Sequence, residues 1–158
     1  MKSISDNANP FAAVTRILIV EDFAPHRALV SSLLIDLQEL RVVGEVSDGL
    51  EAIVKAQELK PDLLLMDISL PGLNGIEAAR QIRKLAPASK IVFLTQESSP
   101  EVQEEAIRLG ACGYVFKSEM GIDLLRAIQA VLKGEQFFSR GAIASDIAEQ
   151  NGQKPPQN

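Results

Sequence analysis

The sequence has little of what would staple a chain, export it or anchor it in a membrane. A single cysteine, Cys112, excludes an intramolecular disulfide. Lying beside Gly110 and Gly113, it reads as a small packing residue, the usual fate of a free thiol. The first ten residues are polar and lack the apolar segment of about 7–15 residues that a secretory signal carries. The longest apolar runs, such as those at 17–20 and 63–66, fall far short of the roughly 20 residues that span a bilayer. A cytoplasmic protein is the expectation. Basic residues are outnumbered, with 16 Lys and Arg against 21 Asp and Glu and a net charge of −5. That argues against a broad nucleic-acid footprint, which needs a basic face. What remains is ordinary for one soluble domain: 158 residues, 46% hydrophobic and 23% charged.

Five short runs read as strands, at 17–20, 42–46, 63–66, 91–94 and 114–116. Most are continuously apolar, as strands covered on both faces are. The second is interrupted by Gly44 and Glu45 and reads as an edge strand. Between the runs lie amphipathic segments. Their apolar sets are Leu29, Leu33, Leu37 and Leu40; Leu50, Ile53 and Val54; Ile76, Ala79, Ile82 and Leu85; Val102, Ala106 and Leu109; and Ile122, Leu125, Ile128 and Leu132. Spacings of three and four put each set on one helical stripe. Asp48 and Asn74 suit helix N-caps, Pro100 a first turn, and Gly110 and Gly134 helix ends. Strict alternation implies an α/β fold with a parallel sheet and right-handed crossovers. The expected architecture is a (βα)5 flavodoxin-like, doubly wound sheet of order 2-1-3-4-5. Residues 1–15 are expected to be a flexible tail, 16–134 the folded domain, and 135–158 a mostly disordered extension.

In an open parallel sheet, ligands sit beyond the carboxyl ends of the strands. Glu21 and Asp22 follow the first strand, Asp67 ends the third, Thr95 ends the fourth and Lys117 ends the fifth. The expected order makes the three acids converge, with a hydroxyl and an ammonium opposite. Taken singly, each has a bland reading: Asp67 a turn or cap, Thr95 a turn hydroxyl, Lys117 a solvated cation. Together they form a site. Crowded carboxylates drive one another to protonate unless a cation intervenes. Mg²⁺, which takes one or two carboxylates, waters and phosphate oxygens, suits them. Such a site stabilises a phosphoryl group in transfer, where positioning and charge neutralisation carry the catalysis. Asp67 is the best-placed nucleophile.

At these residues the sequence resembles the receiver domain of two-component response regulators. The matching stretches are Ile17-Leu18-Ile19-Val20-Glu21-Asp22, then Leu65-Met66-Asp67-Ile68-Ser69-Leu70-Pro71-Gly72-Leu73-Asn74-Gly75, then Phe93-Leu94-Thr95, and Gly113-Tyr114-Val115-Phe116-Lys117. The portion from Gly113 to Ser139 resembles the NarL/FixJ subfamily. The resemblance implies phosphorylation of Asp67 by a sensor histidine kinase or phosphotransfer protein. It implies Mg²⁺ held by Asp22, Asp67, Glu21 and the backbone carbonyl of Ser69. Lys117 would pair with Asp67 or its phosphoryl group, and Thr95 would bond a phosphoryl oxygen. Tyr114 would change rotamer with Thr95, switching a surface of helix 4, strand 5 and helix 5 that binds a partner or a second copy. Ser69, Glu97 and Gln96 sit where hydrolysis is tuned. The chain would be a signalling module with self-phosphorylating and autodephosphorylating activity rather than a metabolic enzyme.

There are departures. Gln96 is long where many members carry a small residue. Ser118 stands where many have a cis proline. His26, the only histidine, lies near the site and reads as a surface residue. After Gly134 only 24 residues remain, and they supply no output domain, so the expected partners exclude both membrane and direct nucleic-acid binding. Three other readings are weighed. A flavodoxin-like nucleotide or flavin binder wants a Gly/Ser/Thr-rich phosphate loop after strand 1, where this chain has two acids. A DNA-binding regulator needs the missing domain. A degenerate receiver, acting as a phosphorylation-independent interaction module, would follow if Gln96 closed the site.

Overall fold

The computed structural model describes residues 14–96 and 99–139. A six-stranded, wholly parallel sheet forms from β1 (Thr15–Val20), β2 (Leu40–Val46), β3 (Leu63–Asp67), β4 (Lys90–Thr95), β5 (Gly113–Phe116) and β6 (Phe137–Phe138), in the order β2-β1-β3-β4-β5-β6. Five helices connect or follow the first five strands: α1 (Ala24–Leu34), α2 (Gly49–Leu59), α3 (Gly75–Leu85), α4 (Pro100–Arg108) and α5 (Met120–Leu132). The order expected for the first five strands is the one observed. Residues 1–13 and 140–158, and Glu97 with its tuning role, lie outside the described residues.

β3 shows why the central runs are continuously apolar. Leu64 and Met66 face the core built with α2, α3 and α4, while Leu63 and Leu65 face the core built with α1 and α5. Side chains alternate across a strand, so a sheet covered on both faces needs apolar residues at every position. β2 is an edge strand, as its broken pattern suggested. Its register against β1 slips between Ile17 and Leu18, opposite Gly44. A Cβ on Gly44 would lie 3.1 Å from Leu18 Cδ1, and a glycine at such a bulge allows the close approach.

The capping residues act as their types suggest. Asp48 accepts a hydrogen bond from Glu51 N at 2.7 Å and Asn74 one from Glu77 N at 3.0 Å. Several helix faces, however, are rotated from the expected stripes. α1 stops at Leu34, so Leu37 and Leu40 lie beyond it, and Val30 and Leu34 are its buried residues. α2 buries Ala52 and Ala56 and leaves Leu50 61% and Val54 53% exposed. Small residues let that helix lie close to the sheet. α5 buries Leu124, Ala127, Ile128 and Val131, while Ile122 is 67% exposed.

β6 was not expected. Gly134, at φ 87°, reverses the chain after α5, and Glu135 N donates to Ala130 O at 2.9 Å across the turn. Positive φ is ready for glycine and strained for other residues. The chain then runs beside β5, with Phe137 packing on one core and Phe138 on the other. Ser139 follows and is fully buried. The ordered sheet therefore continues past residue 134, the boundary read from the sequence.

Candidate functional site

Strands β1, β3 and β4 are neighbours, so their carboxyl ends bring their terminal residues to one place. Glu21, just past β1, is buried, Asp22 is exposed, and Asp67, the last residue of β3, is 5% exposed. One carboxylate oxygen from each of the three lies within 4.8 Å of the others. Lys117 enters from the end of β5, its side chain only 7% exposed, with Nζ 3.2 Å from Asp67 Oδ2 and 2.7 Å from Glu21 Oε1. The Glu21 contact is an ion pair, and Oε1 is buried with no hydrogen-bond partner among the described residues. Glu21 Oε2 accepts from Phe23 N at 3.0 Å, and Asp67 Oδ1 accepts from Ser69 N at 3.1 Å.

The loop after β3 is shaped by glycines. Gly72 has φ 73°. Gly75 N donates to Ile68 O at 2.7 Å, and a Cβ there would sit 2.2 Å from Asp67 O. The start of α3 can thus press on the backbone of Asp67 only because residue 75 has no side chain.

Burial pushes the Asp67 carboxyl above the ordinary carboxylate range. The Lys117 ammonium pulls it back, Glu21 pushes it further up, and hydrogen bonds from Lys117 and the Ser69 N–H lower it. One ammonium facing three carboxylates leaves two negative charges uncompensated. A divalent, oxygen-seeking cation fits that imbalance, and Glu21 Oε1, buried and ion-paired to Lys117, is one of the carboxylate oxygens gathered there.

A cavity of about 360 Å³ is lined by Glu21, Asp22, Asp67, Ser69, Gln96 and Lys117 together with Phe23 and His26. Gln96 is exposed and forms part of the wall. Thr95, fully buried, lines an adjoining cavity of about 410 Å³ with His26, Gln96, Phe116, Lys117 and Ser118. Tyr114 lines neither. It is 1% exposed, and its ring meets Phe116 edge-on at 5.9 Å. The peptide bond into Ser118 is trans, and Lys117–Glu119 form a 3-10 turn there.

Two residues of α1 join the site without having been assigned a role from the sequence. Arg27 Nη1 donates to the carbonyl of Glu21 at 2.7 Å, and its Nε is 3.5 Å from Glu45 Oε1. It ties the acidic loop to both α1 and β2. His26 is half-buried, with Nδ1 3.4 Å from Lys117 Nζ. The first-turn spacing that brings both over the loop was visible, but no motif marked it.

The family model described as "Response regulator receiver domain" matches residues 17–129. The response regulator GacA of Pseudomonas viridiflava is 35% identical over 133 residues, 84% of this chain and 62% of that protein. The chain thus spans about 62% of the length of that relative. The crystal structure of a LuxR-family two-component response regulator from Aurantimonas sp. SI85-9A1 is 36% identical, with a TM-score of 0.80, over 88% of this chain and 99% of that one. A structure of the RcsB–DNA complex is 26% identical, with a TM-score of 0.78, over 87% of this chain and 68% of that one.

These likenesses correct one expectation. Nucleic acid was excluded from the partners on the strength of acidity and of the short stretch after Gly134. A protein similar to this chain over most of its length is a DNA-bound regulator. A net charge of −5 belongs to these 158 residues, and charge speaks of a surface's own ligands, not of what a longer regulator binds. Among the described residues no helix is long and apolar enough to cross a membrane. The fold, the acidic cluster at its strand ends and the family match over residues 17–129 agree: the chain belongs to the response-regulator receiver family of two-component systems.

Proposed function

We infer that Asp67 is the phosphoacceptor and that its donor is the phosphohistidine of a sensor histidine kinase or phosphotransfer protein. The observation that carries this is the meeting of Glu21, Asp22 and Asp67 within 4.8 Å, with the Lys117 ammonium 3.2 Å from Asp67. Asp22, Asp67, Glu21 and the Ser69 carbonyl would hold Mg²⁺, which supplies charge neutralisation at the transferring phosphoryl oxygens. An Asp67 carboxylate oxygen attacks phosphorus, an O–P bond forms, the P–N bond to the donor imidazole breaks, and the imidazole leaves with a proton. Lys117 already pairs with Asp67 and stays beside the anionic product. Thr95, at the adjoining strand end, donates its hydroxyl to a phosphoryl oxygen. Ser69 and Gln96 stand on the cavity wall, where they govern entry of the water that hydrolyses the product.

Phosphorylation adds about −1.5 to −2 charge beside Lys117 and Thr95. Thr95 and Phe116 are register partners, as are Phe93 and Tyr114. Movement of Thr95 is therefore felt directly in β5, and the switched surface is that of α4, β5 and α5. The deciding experiment is incubation with phosphoramidate and Mg²⁺ followed by intact mass. A gain of one phosphoryl group, absent in Asp67→Asn and without Mg²⁺, is the expected result. No gain in the wild-type protein sinks the reading and leaves the chain a phosphorylation-independent module.

A further inference from the structure

Lys117 carries three N–H donors and no acceptor. It has three polar neighbours among the described residues: Glu21 Oε1 at 2.7 Å, Asp67 Oδ2 at 3.2 Å and His26 Nδ1 at 3.4 Å. The third contact is attractive only if Nδ1 is unprotonated and offers its lone pair. His26 is set in place by the first turn of α1 and by Phe23, whose ring meets the imidazole edge-on at 4.8 Å.

The three neighbours differ in what the reaction does to them. Glu21 is one of the acids that would turn to a divalent ion, which competes with its hold on the ammonium. Asp67 is the nucleophile, so its charge and shape change during transfer. His26 alone of the three is neither the nucleophile nor one of the acids that would face the ion. It also stands on the wall shared by the two cavities, beside Gln96 and Lys117.

We propose that His26 is a positioning residue for Lys117, accepting a hydrogen bond through Nδ1 and holding the ammonium against Asp67 while Glu21 is engaged elsewhere. This rests on Asp67 being the phosphoacceptor, but the contact itself does not.

The chain has a single histidine, so nitrogen-15 NMR reads its ring in the intact protein without ambiguity. The expected ring is protonated at Nε2 and bare at Nδ1, with the Nδ1 frequency displaced from its value in Lys117→Met. A proton on Nδ1, or the same frequency in both proteins, overturns the contact. Rates of phosphorylation by phosphoramidate with Mg²⁺ then test its role. His26→Leu is expected to lower the maximal rate about fivefold, about 1 kcal/mol of barrier, with the half-saturating donor concentration unchanged. His26→Asn, which keeps an acceptor near the place of Nδ1, is expected to recover to within about twofold of wild type. Equal rates in all three proteins, or an Asn variant as slow as the Leu variant, overturn the positioning role. If the wild-type protein takes no phosphoryl group, the phosphoacceptor reading fails, and the NMR result still decides the contact.

Discussion

Replacing Ser139 by alanine tests the least expected part of the fold. Ser139 Oγ donates to Asp123 Oδ2 at 3.0 Å and accepts from Phe116 N at 3.1 Å. Ser139 is fully buried and Asp123 is 7% exposed. The Ser139 N–H, bonded to Tyr114 O at 2.8 Å, is untouched by the substitution. Alanine removes one hydroxyl and strands two groups, a backbone N–H and a carboxylate oxygen. Each stranded buried group costs about 1–3 kcal/mol. Asp123 keeps a sliver of solvent contact, which brings its share to the lower end, so the expected loss is about 3 kcal/mol. For a domain of this size that lowers the midpoint of melting by on the order of 10 °C. Urea denaturation followed by circular dichroism measures the loss. A double-mutant cycle with Asp123→Ala isolates the pair, with an expected coupling above about 1 kcal/mol. Hydrogen exchange at Phe116 N should accelerate as its acceptor is removed. A loss below about 0.5 kcal/mol, the value of an ordinary surface substitution, would refute the reasoning, because β6 would then be undocked in solution.

Three further outcomes follow from the site. Asp67→Asn is expected to raise stability at neutral pH without metal, because burial holds the Asp67 carboxyl above its ordinary range. A raised carboxyl stabilises the fold below the unfolded-chain pKa and loses that contribution as pH rises through the folded-state pKa. The Asn advantage should therefore grow with pH and vanish in acid, and melting scans across pH that show no such trend would count against a buried charge. Mg²⁺ at about one hundred times its dissociation constant should stabilise the wild-type protein by about 2.7 kcal/mol. Asp22→Ala should lose most of that gain in a calorimetric titration, while an undiminished gain would place the ion elsewhere. Gly75→Ala should cost about 3 kcal/mol, since its Cβ would sit 2.2 Å from Asp67 O and 2.8 Å from Ile68 Cα, both backbone. Wild-type stability in that variant would mean that α3 does not press on the Asp67 backbone.

Much of the fold was legible because strands buried on both faces leave a coarse signal. The runs at 17–20, 63–66 and 91–94 are apolar at every position, and Asp48, Asn74 and Gly134 mark their helix ends by side-chain chemistry or its absence. Helix faces were less legible. In α2 the eye falls on Leu50 and Val54, but Ala52 and Ala56 face the sheet, because closeness of packing favoured small side chains over large ones. In α1 the leucine ladder ran past the true helix end at Leu34. β6 was invisible because two residues between a glycine turn and a polar segment cannot display a period of two.

The sequence by itself determined the alternation of strands and helices, and with it the placement of Glu21, Asp22, Asp67, Thr95 and Lys117 at strand ends. Those follow from periodicity and chain connectivity, which are local. The tertiary structure decided which groups touch: the Glu21–Lys117–Asp67 cluster at 2.7 and 3.2 Å, the imidazole of His26 beside the ammonium, and the clip of Ser139 across Phe116 and Asp123. Those contacts join residues 16 to 96 positions apart in the chain. No local pattern encodes such distances; they exist only once the sheet has closed around its two cores.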